Sequence, residues 1–201
     1  MLRTVAIALL VCACTFARAQ ERVPREQCLK AACQLSLDLK QLLDTPIPTD
    51  PDIKRAVAVA RDEHAALVLP ETKLSADTLA KAGKEPVSVG QLWLHKVLPL
   101  RDGQPVKVEE LRMLNVGPAD NQRTVAQCVL AVQKNADGKL ELVILGKEKK
   151  PMLALPLKET ATAPAGDDPI DISAVGQNDT GVVTLKIVGK YEATFEVGRA
   201  D

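Results

Sequence analysis

TVAQCVLAVQKNADGKLELVI, residues 124–144, carries the strongest structural pattern in this sequence. Asn135-Ala136-Asp137-Gly138 is typical of a tight turn, and apolar residues recur at alternate positions on both sides of it. The alternating residues are Ala126, Cys128, Leu130 and Val132 before the turn and Leu140, Leu142 and Ile144 after it. This pattern predicts an antiparallel hairpin at the centre of a β-sheet.

The same alternation, interrupted by turn sequences, extends over residues 84–201. Residues 87–98, 111–116 and 152–157 each predict a further strand. A loop containing Pro and Asp, residues 160–169, leads to a final hairpin.

The final hairpin has two candidate loops. A two-residue loop, Gly189-Lys190, would pair Val188 with Tyr191 and would mix apolar and charged side chains on one face. A three-residue loop that starts at Val188 instead pairs Ile187 with Tyr191 and keeps apolar side chains opposite one another. We therefore predict the three-residue loop.

The region before residue 84 has helical periodicity instead. From Pro24 to Leu43, apolar residues recur every three or four positions, which predicts an amphipathic helix. A second helix is predicted from the cap Asp50 to Val68, and a short helical turn from the cap Ser75 to Gly83. The first two helices are expected to pair as a hairpin.

These patterns predict an α+β fold, in which an N-terminal helical hairpin docks on an antiparallel β-sheet or β-sandwich. Residues 20–83 would form the helical segment and residues 84–201 the β-rich segment. The chain of 201 residues is long enough for the two segments to share one hydrophobic core.

Residues 1–19 have the features of a cleavable signal peptide. Arg3 precedes the apolar run Val5–Cys14, and Ala17 and Ala19 occupy the two positions that signal peptidase reads. Cleavage before Gln20 is therefore expected, and the mature protein would be periplasmic or extracellular.

An alternative route is lipidation at Cys14, because Val11-Cys12-Ala13-Cys14 resembles a bacterial lipobox. The apolar run is shorter than the roughly 20 residues of a membrane-spanning helix, and no later run is longer. We expect no transmembrane segment.

Charge and aromatic content narrow the class of ligand. The precursor has 26 basic and 26 acidic residues, and cleavage removes two arginines, so no basic excess remains to bind phosphates. Only Trp93, Tyr191 and Phe195 remain as aromatic residues after cleavage. Because nucleic acids and sugars are usually bound through several aromatic rings, nucleic-acid binding is excluded and sugar binding is disfavoured.

His64, Trp93 and His95 are the candidate pocket-lining residues. His64 lies on the apolar side of the predicted second helix, and Trp93 and His95 share one face of a predicted strand. The alternatives are a hydrogen-bonded core histidine and a half-buried sheet face. The sequence lacks metal-ligand spacing and recognisable catalytic motifs, so no metal site, cofactor or catalytic residue is predicted.

An acidic group near the C-terminal hairpin could in principle bind calcium. It consists of Asp167, Asp168, Asp171, Asn178 and Asp179. The spacing does not fit an EF-hand loop, so a solvated turn is expected instead. Asn178 also begins a glycosylation sequon, which matters only in a eukaryotic protein.

Three cysteines remain after cleavage. Cys28 and Cys33 are five residues apart on the predicted first helix, about 7.5 Å of axial rise, which is too far for a disulfide. Cys28 and Cys128 are both predicted to face the core. A disulfide between them and a pair of small buried thiols are the two interpretations.

Three functional hypotheses follow. The first is a non-catalytic exported domain that binds a protein partner, or has a structural role, through a sheet edge or a helical face. The second is a carrier or sensor of an apolar small molecule. The third is a hydrolase that uses converging carboxylates.

Overall fold

The computed structural model describes residues 18–35, 44–120, 122–160, 168–177 and 179–200. Most of these residues belong to antiparallel strands. In chain order the strands are β1 (Arg18–Ala19), β2 (Glu21–Arg22), β3 (Val57–Arg61), β4 (His64–Pro70), β5 (Val87–His95), β6 (Val97–Arg101), β7 (Gln104–Pro105), β8 (Arg112–Val116), β9 (Arg123–Lys134), β10 (Leu140–Leu145), β11 (Pro151–Pro156), β12 (Lys158–Glu159), β13 (Ile170–Gln177), β14 (Thr180–Ile187) and β15 (Tyr191–Arg199). The helices are α1 (Arg25–Leu35) and α2 (Ala76–Ala80), and the 3₁₀ turns are Ile53–Arg55 and Val108–Glu110.

The strands form two sheets. Sheet A has the order β1-β13-β14-β15-β6-β7, with β12 also paired to β15. Sheet B has the order β11-β10-β9-β5-β4-β3-β2, with β8 also paired to β9. The chain passes from sheet B to sheet A between β5 and β6 through Lys96, whose φ of 55° makes the sharp change of direction.

The main hydrophobic core lies between the two sheets. Sheet B contributes residues such as Leu92, Cys128 and Leu130, and sheet A contributes Leu185 and Phe195, all at most 4% exposed. This core explains the alternation in the sequence, because the same strands place every second side chain in the core.

The outer face of sheet B is covered as well. Cys28 and Ala32 of α1 pack with Leu67, Trp93 and neighbouring residues in a second cluster. Farther along the same face, Ile47 packs against a third cluster of buried residues from β9 and β10. Residues 44–55 therefore cross the outer face of sheet B, and we call this segment the strap.

Both predicted hairpins are confirmed. In the central hairpin, Val132 lies opposite Leu142 and Leu130 opposite Ile144. In the final hairpin, Ile187 lies opposite Tyr191, as the three-residue loop requires. Val188 has φ of 47° and Gly189 φ of 64°, so the loop is sharp enough to keep this register.

The predicted helical hairpin is wrong. The first helix is observed as α1 over Arg25–Leu35, and the predicted continuation through residues 36–43 lies outside the described residues. The predicted second helix is instead a 3₁₀ turn followed by β3 and β4. The fold is therefore two antiparallel sheets with α1 on one outer face.

The physical reason is that β3 is buried on both sides. Val57 and Val59 enter the main core, whereas Ala56 and Ala58 face α1 in the second cluster. A short strand covered on both faces reads as a continuous apolar run, which periodicity alone does not distinguish from a helix. Asp62 then turns the chain with φ of 54°, where an unbroken helix had been predicted.

The short helical turn is observed as α2. The side chain of Ser75 accepts a hydrogen bond from the backbone N–H of Thr78 and so caps its N-terminus, as predicted. Leu79, which is 1% exposed, anchors the helix in the main core. The strand predicted over residues 87–98 is two strands, β5 and β6, which belong to different sheets.

Candidate functional site

The three predicted pocket residues do not form one site. His64 is the first residue of β4 rather than a helical residue, and it lines a cleft at one end of the sandwich. His95 ends β5, and its Nδ1 lies 3.1 Å from the carbonyl oxygen of Thr124. Trp93 is 4% exposed and packs in the second cluster under α1. The structure therefore brings none of the three together around a shared cavity.

The cleft beside His64 lies where the ends of the two sheets meet. The β3–β4 hairpin contributes Arg61 and Asp62, whereas sheet A contributes Arg199 and three glycines. The glycines are Gly176, Gly181 and Gly198. The cleft has a volume of about 40 Å³, which suits one or two water molecules rather than an apolar ligand.

The charges around this cleft compensate one another. Arg199 Nη1 lies 3.1 Å from Asp179 Oδ1, and Arg61 Nε lies 3.7 Å from Asp62 Oδ2. Arg61 also donates from Nη1 to the carbonyl oxygen of Gly176 at 3.3 Å. Because each guanidinium already has an acidic neighbour, the cleft has little excess charge with which to bind an anion.

Trp93 belongs to a buried polar network that the sequence analysis missed. Gln91 Oε1 accepts hydrogen bonds from Trp93 Nε1 at 3.2 Å and from Gln127 Nε2 at 3.0 Å. Gln91 Nε2 donates to Thr49 Oγ1 of the strap at 2.8 Å. Gln91 and Gln127 are 0% and 1% exposed, so these bonds replace those that the amides would make with water.

The network extends to β8 through Arg112. The Arg112 guanidinium, 13% exposed, donates to Gln127 Oε1 and, at 3.1 Å, to Asp44 Oδ2. A charge at this depth needs such partners. Its bonds therefore fix β8 against both β9 and the start of the strap.

The half-buried carboxylate of Glu71 holds the strap farther along. Glu71 Oε2 accepts from the backbone N–H of Asp50 at 2.6 Å, and Ser88 Oγ donates to Glu71 Oε1 at 2.5 Å. Burial raises the pKa of the Glu71 carboxyl, and the nearby Asp50 carboxylate raises it further, although the two hydrogen bonds oppose this shift.

Replacing Glu71 by glutamine should make the protein more stable near neutral pH, by at most about 1 kcal/mol. The raised pKa means that the folded state binds more protons than the unfolded state between the ordinary carboxyl pKa and the raised value. Stability is therefore lost as pH rises through that window, and Glu71→Gln removes the loss. Denaturant unfolding near neutral pH should show the gain, and the same measurement below the ordinary carboxyl pKa should show none.

The exposed Glu148→Gln is a matched control, and it should leave unfolding unchanged at both pH values. A gain from Glu71→Gln that is equal at both pH values would contradict the explanation by burial.

The disulfide interpretation is wrong: Cys28 and Cys128 are not bonded to each other, and both are small buried thiols, as the alternative interpretation expected. Cys28 lies in the second cluster, on the outer face of sheet B, whereas Cys128 points into the core between the sheets. The sheet itself separates the two thiols. Full burial raises the pKa of Cys128 to about 12, so this thiol is unreactive.

Part of the acidic group is used for ion pairs. Asp168 lies 3.4 Å from Arg22 and 3.1 Å from Arg25, and Asp171 lies 3.2 Å from Arg22. These pairs fasten the N-terminal segment to the start of β13. Within the described ranges, no group of three or more potential metal ligands is present. Asp167 and Asn178 lie outside the described residues, so the predicted loop is only partly covered.

β8 lies at a sheet edge that the sequence analysis did not identify. It pairs with β9 along residues 123–127, and no other strand of the described chain pairs with its second edge. Met113, Leu114 and Val116 are half-buried, and Asn115 is exposed. Val108, in the 3₁₀ turn before β8, is 49% exposed. An edge of this kind presents backbone N–H and C=O groups to a second extended chain.

The sequence contained one usable signal for this region. Gln91 interrupts the apolar run of residues 89–94 and Gln127 the apolar run of residues 125–132, a pattern that indicates a buried amide with specific partners. The unpaired edge of β8 had no such signal, because edge and central strands can have the same alternation.

Comparison with protein-family models, curated proteins and solved structures gave no match. Among the helices that the structure describes, none is sufficiently long and apolar to cross a membrane.

Proposed function

We propose that this chain is an exported, non-catalytic binding domain that recognises an extended segment of a partner protein by strand addition to β8. The observation that carries the proposal is the five-residue β8 strand, which is paired on one edge only among the described residues. Strand addition provides affinity through backbone hydrogen bonds and specificity through alternate side chains.

The anchoring of β8 supports this role. Arg112 points inward and is bound to Gln127 and Asp44, so β8 is held in an extended conformation before a partner arrives. A binding edge that is already ordered loses less conformational entropy on association. A partner strand would place its own alternate residues beside Leu114 and Val116 on one face and Met113 on the other.

Three other sheet edges are less suitable. Cleavage before Gln20 would remove β1 from the edge of β13, but Gln20 itself still lies against β13 and donates its backbone N–H to Ala174 at 2.9 Å. β3 pairs with β2 on its outer side. β11 begins at Pro151 and ends at Pro156, which have no N–H group to offer a partner strand. These features protect the three edges against strand addition, whereas no described residue gives β8 an equivalent protection.

The exposed apolar side chains of sheet A are a weaker alternative surface. Val175 and Val182 lie opposite each other on β13 and β14 and are 45% and 43% exposed. Two valines cover far less than the few hundred Å² of a typical interaction patch. The observations therefore favour the β8 edge over the outer face of sheet A.

Site-specific photo-crosslinking tests the proposal in the exported protein. A photoreactive group is placed at Asn115, on the exposed part of β8, and in a matched variant at Ser173, on the exposed face of β13. Strand addition predicts a protein adduct from position 115 and none from position 173. Hydrogen exchange of the complex should then show slower exchange in residues 112–116.

A charge variant supplies the quantitative test. Asn115→Lys should weaken binding of the crosslinked partner by about tenfold or more, because a lysine at the edge must lose water when a strand pairs there. Ser173→Lys adds the same charge elsewhere and should leave binding unchanged. Adducts that form only at position 173, or binding that Asn115→Lys does not alter, would reject β8 as the binding edge.

A further inference from the structure

We infer that the partner segment runs antiparallel to β8 and carries acidic side chains at its C-terminal end, next to the turn between β10 and β11. That turn consists of residues 147–150, three lysines and one glutamate, and we call it the lysine loop. The inference rests on the proposed binding at β8, to which it adds the direction and the charge of the bound segment.

β8 continues the line of β10 along one edge of β9, because β5 occupies the other edge. Leu145, the last residue of β10, lies opposite Val129, and Arg112, the first residue of β8, lies opposite Gln127. β11 pairs with the outer edge of β10, where Leu145 lies opposite Pro151. A strand added to the second edge of β8 would therefore lie in line with β11, with one end at the lysine loop.

The lysine loop is fixed against the segment that leads into β8. The backbone N–H of Lys147 donates to the carbonyl oxygen of Glu110 at 2.9 Å, two residues before β8 begins. Lys147 and Lys150 also line a cleft of about 550 Å³ together with Glu110. The position of the lysines relative to the start of β8 is therefore set by the fold before a partner binds.

The charges at this end of β8 include an excess of lysines. Arg101 donates from Nη1 and Nη2 to the Glu110 carboxylate at 3.0 and 2.8 Å, so these two charges compensate each other. The other charged residues of the lysine loop and of the 3₁₀ turn with its cap are Lys107, Lys147, Lys149, Lys150, Glu109 and Glu148. None of these lysines forms a salt bridge with a described residue. Four lysines against two glutamates leave two positive charges that acidic side chains of a partner would complement.

The opposite end of β8 has balanced charges in the described part of the chain. Val116, the last residue of β8, lies opposite Arg123, and Asp120 in the adjoining turn is exposed. Acidic side chains of a partner would meet one charge of each sign there. They are therefore expected at the lysine loop and not at the far end.

The direction of β8 assigns the acidic side chains to the C-terminal end of the partner segment. β8 runs away from the lysine loop, from Arg112 to Val116, so an antiparallel segment runs towards the loop. The strand pairs of both sheets are antiparallel throughout the described chain. Antiparallel pairing is also slightly more stable per residue than parallel pairing.

Mapping of photo-crosslinked residues tests the direction. Photoreactive groups at positions 115, 118 and 149 of the exported full-length gene product capture the partner, and mass spectrometry identifies the partner residue joined to each. Pro118 is exposed just beyond the far end of β8, and Lys149 is exposed in the lysine loop. We expect position 149 to be joined to a stretch rich in Asp and Glu that is C-terminal to the residue joined to position 118.

A charge variant tests the lysines. Lys149→Gln combined with Lys150→Gln should weaken binding of the captured partner by about fivefold at low ionic strength, since each exposed ion pair contributes little. The loss should become smaller at high salt. Lys81→Gln combined with Lys84→Gln removes the same charge from exposed positions and should leave binding unchanged.

The outcomes separate this inference from the proposed function. A segment that is captured from position 115 but runs parallel to β8, or has no acidic residue opposite position 149, would overturn the inference and leave binding at β8 intact. Equal binding by the two double variants would also overturn it. The lack of any adduct from position 115 would overturn the proposed function, and an adduct with a second copy of this chain would overturn both.

Discussion

Replacing Gln127 by leucine should lower the free energy of unfolding by about 2–4 kcal/mol. The substitution removes the acceptor for Arg112 and the donor to Gln91, both within the network under the strap. A buried guanidinium that loses a partner retains the cost of its desolvation. Denaturant unfolding at neutral pH, analysed for midpoint and slope, measures the loss.

Gln133→Leu on the same strand is the matched control. Gln133 Nε2 donates to Glu141 Oε1 at 2.7 Å, but the pair lies near the rim, where water can replace the lost bond. Its loss should cost less than about 1 kcal/mol. Equal losses from the two variants would mean that the buried network does not contribute more than a surface hydrogen bond.

A double variant distinguishes the network from simple packing. Arg112→Met combined with Gln127→Leu removes the charge together with its partner, so it should recover much of the stability that Gln127→Leu alone loses. Without recovery, the loss would have to come from the altered shape of the side chain at position 127.

The alternation of apolar and polar residues was sufficient to predict two hairpins, one in each sheet. Alternation on both sides of Asn135-Ala136-Asp137-Gly138 fixed the central hairpin, since slipping by one residue would turn Cys128 and Leu130 out of the core. The final hairpin was predictable for the same reason. In both cases one sheet face is apolar and the pattern has only one good register.

The region from Asp50 to Val68 was not predictable in this way. Its strands are covered on one side by the main core and on the other by α1 and the strap, so β3 has apolar residues at every position from Val57 to Ala60. The alanines also have high helix propensity. Pairing with β4 and burial on both faces outweighed that local preference, which no local pattern could reveal.

Of the two interpretations of the cysteines, the buried thiols are confirmed and the disulfide is wrong, because two buried faces were treated as one. Cys28 and Cys128 are both buried, at 1% and 0% exposure, but on opposite faces of sheet B. A sequence can indicate that a side chain is buried without indicating which side of a sheet it occupies. The second cluster, which lies under α1 on the outer face of sheet B, is formed only when the chain is folded.

The candidate site was predictable only in part. Trp93 was singled out as a pocket residue, and its indole N–H does meet a specific partner, but that partner is Gln91 within a filled interior. The free edge of β8 depends on which strands pair with β9, a long-range property of the sheet order. The pattern of residues in one sequence does not show which strand lies at a sheet edge or in what order the strands pair.

Replacing Gly146 by alanine should cost about 3 kcal/mol or more in the free energy of unfolding. A Cβ at this position would lie 2.0 Å from the carbonyl oxygen of Glu110 and 2.7 Å from Met152 Sδ. The first contact is with backbone, so it cannot be relieved by a side-chain rotation. Glu110 ends the 3₁₀ turn before β8 and accepts a hydrogen bond from Lys147 N–H at 2.9 Å, so relief requires the turn to move.

The same substitution should displace the start of β8, which makes it a test of the proposed binding edge as well as of packing. Gly83→Ala is the matched control, because a Cβ there meets nothing within 4 Å and φ is not in the left-handed region. It should leave stability unchanged or raise it by up to about 1 kcal/mol, since alanine restricts the unfolded chain. Thermal unfolding gives the two stabilities, and hydrogen exchange in residues 108–116 should be faster in Gly146→Ala alone. A Gly146→Ala variant as stable as Gly83→Ala would mean that the 3₁₀ turn does not hold β8 in position.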